Sequence, residues 1–227
     1  MVDYLGFVLA RWRDLLDLTI QHARIVGISI AIAIVIGISI GTLITFNDRA
    51  ASIVLWLAGI SMTVPSIALF GLLIPVLGIG APPVIFSLVL YSQLPLIRNT
   101  YVGLTEVDEA SIKVGRGMGM TKWEQLRYVQ LPNALPVIMS GLRNAVVIIV
   151  GVAAIGAFIG AGGLGDFIFD GIRTRDIAKM VVTTIVLSAM ALTLDYGFGV
   201  AEQLLRLRNG EDINRARVTD VIWEVAV

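Results

Sequence analysis

The sequence has no cysteine and a single histidine, His22. The first absence excludes disulfides, thiolate chemistry and cysteine metal sites together, and one imidazole cannot make a histidine metal site alone. Charge is also scarce: 15% of the 227 residues are Asp, Glu, Lys or Arg, against about 25% in an ordinary soluble domain. Seventeen basic and seventeen acidic side chains cancel, so no global field points to a nucleic-acid partner. Aromatic residues amount to 7%, and Trp12, Trp56, Trp123 and Trp223 are scattered. That leaves no aromatic cage for a cation. No set of side chains reads as catalytic, cofactor-binding or metal-ligating.

Residues 160–166, "GAGGLGD", spell the dinucleotide-binding pattern G-x-G-x-x-G. That pattern binds a pyrophosphate only where a strand turns into a helix inside a βαβ unit. Here it follows an apolar run of membrane length, and no G-x-x-x-x-G-K-[ST] sequence is present. The match is accidental.

What the chain does have is apolar length. The mean hydropathy is +0.87. Uncharged runs cover 25–46, 50–97 and 144–165, which is 22, 48 and 22 residues, and about 20 apolar residues cross a bilayer. The 48-residue run suits two helices separated by "LGIGAPP" at 77–83, where adjacent Gly and Pro break a helix. The expected fold is all-α and integral to the membrane. Its five transmembrane helices lie near 25–46, 51–76, 84–105, 136–161 and 180–205.

Orientation follows from the basic residues of the short loops. Arg11, Arg13, Arg24, Arg173, Arg175 and Lys179 fall on one side, and the other 11 of 17 on the other, which includes the long loop between the third and fourth spans. This predicts the N-terminus outside and the C-terminus cytoplasmic. Residues 1–24 lack the short apolar core and cleavage site of a signal peptide. Leu9, Trp12, Leu15 and Leu16 suggest an amphipathic helix in the interface, or else an extension of the first span. His22 is expected at the interface. Residues 208–227 are read as a cytoplasmic tail.

The long loop is the most informative segment. Thr105 with Asp108, and Thr121 with Glu124, have capping-box spacing. Gly115, Gly117 and Gly119 should break the first loop helix. Trp123, Leu126 and Val129 form a narrow apolar stripe on the second, which Pro132 should stop. The segment "GMGMTKWEQLRYVQLP" resembles the cytoplasmic loop of ABC importer permeases, with signature E-A-A-x3-G-x9-I-x-L-P. Taking Gly119 as the signature glycine puts Val129 at the Ile position and Leu131 and Pro132 at Leu-Pro. Lys113, Val114 and Gly115 then stand where Glu-Ala-Ala is expected. Three further segments, "TVPSIALFGLLIPVLGIG", "LIRNTYVGL" and "IGAGGLGDFIFDGI", resemble permeases of osmoprotectant importers for glycine betaine, carnitine and choline.

That resemblance implies a type I permease with the methionine-permease-like fold, its permease domain at 25–207, in the cytoplasmic (inner) membrane. It implies a second permease, identical or homologous, a pair of cytoplasmic ATP-binding subunits that hold ATP and Mg, and an external substrate-binding protein. Gly115, Gly117, Gly119, Met120, Thr121, Trp123, Glu124, Leu126, Leu131 and Pro132 become the ATPase coupling loop. Pro65, Asn99, Gly160, Gly162, Gly163, Gly165 and Asp166 become candidates for the pathway or for facing the binding protein. Asp195 is an intramembrane carboxylate expected to pair with a neighbouring helix or reach interfacial water. Arg143, Asn144 and Asn99 are read as interhelical or snorkelling groups. An amino acid or other small solute is the alternative cargo. A secondary transporter would need an internal repeat and a channel a ring of charges or carbonyls, and neither is seen.

Overall fold

A computed structural model describes residues 3–211, and every regular element among them is helical. In chain order these are α1 (Tyr4–Ile44), α2 (Asp48–Ser61), α3 (Ser66–Leu77), α4 (Ala81–Thr105), α5 (Glu109–Gly117), α6 (Lys122–Gln125), α7 (Leu131–Ile155), α8 (Gly165–Thr174) and α9 (Ile177–Arg208). A π turn, Leu126–Gln130, joins α6 to α7, and a 3-10 turn, Gly156–Ile159, follows α7. Most of the tail at 208–227, with Trp223, lies outside the described residues.

Among the described residues, α1, the continuous run Lys122–Ile159 and α9 are each long and apolar enough to cross a membrane. Helices α2 and α3, bent by 96° to one another, are together apolar enough to count as a fourth. Helix α4 runs for 25 residues and buries Ser87, Ser92, Gln93 and Thr100.

Helices α1, α4 and α7 make the core. Ile25, Val26 and Ala33 meet Val84, Leu88 and Leu96, and all pack on Val146, Ile149 and Val150. Lipid tails are as apolar as these side chains, so helices associate through close packing rather than by escape from water. Gly41 of α1 shows how close: a Cβ there would lie 2.6 Å from that of Thr100 on α4.

Several expectations change once tertiary structure is present. Residues 4–24 are continuous in helix with the first span: α1 runs from Tyr4 to Ile44 with one kink at Arg11 (φ −125°, ψ 17°). At about 1.5 Å per residue its 41 residues reach about 60 Å, twice the thickness of a hydrocarbon core. The second span is not straight. Pro65 restricts the residue before it and cannot donate a backbone bond, and Tyr91 Oη donates to the carbonyl of Val64 at 2.7 Å, holding the corner.

Pro132 does not stop a helix. The π turn widens the ladder ahead of it, with Leu131 N–H donating to the Leu126 carbonyl, and proline then fits the first turn of α7. Nor do Thr105 and Asp108 form a capping box. The Thr105 hydroxyl donates instead to the Tyr101 carbonyl inside α4 at 2.8 Å, the local competition typical of Thr. Gly115 and Gly117 lie within α5, so only Gly119, at φ 82°, ends the turn.

Candidate functional site

The candidate residues gather in three places: an exposed loop at one end, a glycine loop at the other and a cleft between. The exposed loop is built from α5, the Gly119 turn and α6. The α6 capping box is present: Thr121 Oγ1 accepts from Glu124 N–H at 3.3 Å, and Thr121 N–H donates to Glu124 Oε2 at 2.7 Å. The turn is closed from inside, with Met120 N–H donating to the Gly115 carbonyl at 3.1 Å and Gln125 Nε2 to the Met120 carbonyl at 3.0 Å.

The apolar stripe divides. Leu126 is 5% exposed and packs with Leu104, Ala134 and Ile138, with Leu131 alongside. Trp123 is 66% exposed and Met118 72%. One part of the stripe therefore anchors the loop, while Trp123 and Met118 face outward. The loop is tied to the bundle by Gln130 Nε2, which donates to the Leu104 carbonyl at 3.2 Å, and by Asn209 Nδ2, which donates to the Pro132 carbonyl at 3.1 Å.

The opposite end holds the glycine loop. Gly160, Gly162 and Gly163 have φ of 76°, 81° and 80°, values that L side chains disfavour. The clasp that holds them comes from α1 and was missed in the sequence. Gln21 Oε1 accepts the Gly163 N–H at 2.8 Å. His22 is fully buried, its Nε2 lies 3.1 Å from the Val150 carbonyl, and its ring faces Gly163. His22, expected at the interface, is enclosed among α1, α7 and the glycine loop. Its partners are distant in sequence, and with Arg24 two residues further on nothing local marked it as buried.

Gly165 opens α8, where a Cβ would come within 2.0 Å of the Ala154 carbonyl oxygen. Next to it Asp166 lines a cleft of about 420 Å³ with Phe158, Phe169 and Asp170. The Asp170 carboxyl accepts from Lys179 Nζ at 2.6 Å and from Arg173 Nη2 at 2.5 Å, and these bonds hold it below the usual carboxylate range. Phe167 carries the cations of Arg11 and Lys179 at 5.1 and 5.5 Å. Four of the six basic residues grouped together by sequence, Arg11, Arg173, Arg175 and Lys179, thus belong to segments at this end.

A second cleft, of about 450 Å³, opens between the α2–α3 corner, α4, α7 and α9. Asn99, Asn144, Arg98 and Asp195 are its polar lining, and Met62 reaches it from the corner. Pro65 caps α3 at that corner and is not part of the lining. Asp195 does pair with a neighbouring helix: Arg143 of α7 donates to both carboxylate oxygens, at 2.5 and 2.7 Å. The pair continues along α9 through Glu202, 4.0 Å from Arg143, to Arg206 and Glu211. No group of three or more His, Cys, Asp or Glu that could hold a metal is found among the described residues.

Solved structures place this architecture. A permease-containing structure described as inward-facing conformations of the MetNI methionine ABC transporter aligns with a TM-score of 0.72 at 21% identity, covering 90% of this chain and 99% of that one. An amino acid ABC transporter aligns with a TM-score of 0.73 at 19% identity, over 89% and 99%. The fold is that of a type I ABC importer permease.

Residues 33–207 match the family model described as binding-protein-dependent transport system inner membrane component, and the chain belongs to that family. Among its relatives is the osmoprotectant import permease protein OsmW of Salmonella typhimurium, 42% identical over 200 residues, which are 86% of this chain and 93% of that protein. The glycine betaine/carnitine/choline transport system permease protein OpuCB of Bacillus subtilis is 35% identical over 203 residues, 89% and 94% of the two chains. The choline transport system permease protein OpuBB of the same organism is 36% identical over 192 residues, 85% and 88%. The chain is thus a multi-pass inner-membrane permease of the osmoprotectant group.

Proposed function

We propose that this chain forms the membrane passage of an importer for compact quaternary-ammonium osmoprotectants: glycine betaine, carnitine or choline. The 42% identity to an osmoprotectant import permease, running nearly end to end in both chains, carries this reading. ATP and Mg reside on a separate subunit pair, and the permease performs no bond chemistry. A second permease completes the pathway and an external binding protein delivers the solute. A quaternary ammonium cannot donate hydrogen bonds and is selected mainly by aromatic faces. With 7% aromatic residues in this chain, tight selection belongs to the binding protein.

The five spans are α1, the bent α2–α3 pair, α4, α7 and α9. The amino end of α1 and the glycine loop face outward, and the α5–α6 loop faces the cytoplasm. Residues 25–207 make the permease domain, preceded by an interfacial segment and followed by a tail. In the loop, Trp123 and Met118 form the surface that enters the ATPase, aimed by the Gly119 turn and held by the Thr121–Glu124 box. The exposure of these two apolar side chains beside a buried anchor, Leu126, supports this role. The left-handed Gly160, Gly162 and Gly163, with Gly165 and Asp166, form the outer rim of the pathway, and Asn99 lies deeper within it.

The test is uptake of labelled glycine betaine, carnitine and choline into proteoliposomes holding the full complex, with and without ATP. ATP-dependent entry of at least one is expected. Uptake of an amino acid and of none of these three would refute the substrate assignment.

A further inference from the structure

The cleft between α4, α7 and α9 has an imbalance of charge. Arg98 is the single charged residue of α4. It lies seven residues before the helix end, about 10 Å along the axis. A cation at that depth is costly unless it faces a watery cavity or a partner. Arg98 lines the cleft and makes no ion pair, hydrogen bond or ring contact among the described residues. The one anion that shares the lining, Asp195, is already matched: both its oxygens accept from Arg143, at 2.5 and 2.7 Å. Of the two amides, Asn99 Nδ2 is committed to the Pro95 carbonyl at 2.8 Å, whereas Asn144 has no such bond among the described residues. The cleft therefore offers one unmatched guanidinium and one free amide, beside an apolar wall of Met62, Val147 and Ile148.

We propose that Arg98, assisted by Asn144, receives the carboxylate of zwitterionic solutes as they cross the permease, so that the cleft distinguishes carboxylate-bearing quaternary amines from choline. This rests on the osmoprotectant reading above. A carboxylate is an acceptor-only group that guanidinium engages through two parallel bonds. The trimethylammonium end has no donor to satisfy and rests against the apolar wall. Choline carries a hydroxyl in place of the carboxylate, which accepts at most one neutral bond and brings no opposite charge to the cation. One charged contact in an open cleft also leaves the solute free to move on, as a conduction pathway requires.

The absence of native cysteine makes a direct test possible. Arg98→Cys is assembled in the full complex, reconstituted, and assayed for ATP-driven uptake of all three solutes. It is then modified with a cationic aminoethyl or an anionic sulfonatoethyl thiosulfonate, with the wild-type complex treated in parallel. Glycine betaine and carnitine uptake should fall about tenfold, the worth of a charge-assisted bond, while choline uptake changes less than about twofold. The cationic reagent should restore betaine and carnitine uptake, and the anionic one should not.

For a complex that carries no choline, the contrast between reagents decides. Equal loss of all three solutes, or a complex that no longer assembles, would identify Arg98 as a strut between permeases and overturn the proposal. Restoration by both reagents, or no loss, would overturn it too. Wild-type transport of choline alone refutes the carboxylate seat and leaves the osmoprotectant reading standing. Transport of none of the three refutes both.

Discussion

Gly163 and His22 are in direct contact: a Cβ on Gly163 would lie 2.9 Å from the ring Nδ1 and 3.2 Å from the histidine Cβ. The glycine loop is thus shaped against α1, far away in sequence, and not by its own residues alone.

Gly163→Ala should therefore destabilise the protein by about 1–3 kcal/mol, combining a left-handed φ of 80° with the clash. Gly151 lies inside α7 with nothing within 4 Å of a built Cβ. Gly151→Ala should be neutral or stabilising by up to about 1 kcal/mol. Thermal unfolding in detergent reads both. Equal behaviour of the two variants would refute the contact argument.

The Arg143–Asp195 pair should show coupling in a double-mutant cycle. The side chains are 39% and 28% exposed, so the coupling should be about 1 kcal/mol rather than the larger figures for fully buried pairs. Arg143→Ala with Asp195→Ala should cost less than the sum of the two single changes. Simple additivity would remove the pair as a structural element.

Orientation can be tested by labelling. Ile79 is 73% exposed and Met118 72%. A cysteine at 79 should react with an impermeant maleimide from outside, and one at 118 only after permeabilisation. The reverse pattern refutes the orientation.

The Gly119 turn offers a contrast between two neighbours. Both Gly117 and Gly119 have open space where a Cβ would go, but only Gly119 has positive φ, at 82°. Gly119→Glu should strain the turn by about 1 kcal/mol or more and lower both solute-stimulated ATP hydrolysis and uptake. Gly117→Glu should assemble with the turn intact. If the two variants lose coupling equally, obstruction of the surface, and not the aim of the turn, is responsible.

The apolar helices were legible in the sequence because a bilayer demands long uncharged runs, and such runs need no tertiary information to be recognised. The Thr121–Glu124 box was legible for the same reason, since all its atoms are local. Leu126 and Trp123 share a stripe on paper, yet only folding against Leu104 and Ala134 separates anchor from exposed surface. Pro132 was misread because a stop signal and a first-turn position have the same residue, and the π turn before it has no sequence mark. Asp195 announced a partner on another helix without naming it. Arg143 is 52 residues away, and nothing local selects it.

The His22–Val150 contact joins residues 128 positions apart. At about 5–20 residues per second of synthesis, roughly 6–26 s separate the emergence of the imidazole from that of the carbonyl it meets. During biogenesis α1 is made with an unmatched polar ring, and the glycine loop cannot close until α7 arrives. Closure of the glycine loop is consequently a late event, timed by translation itself.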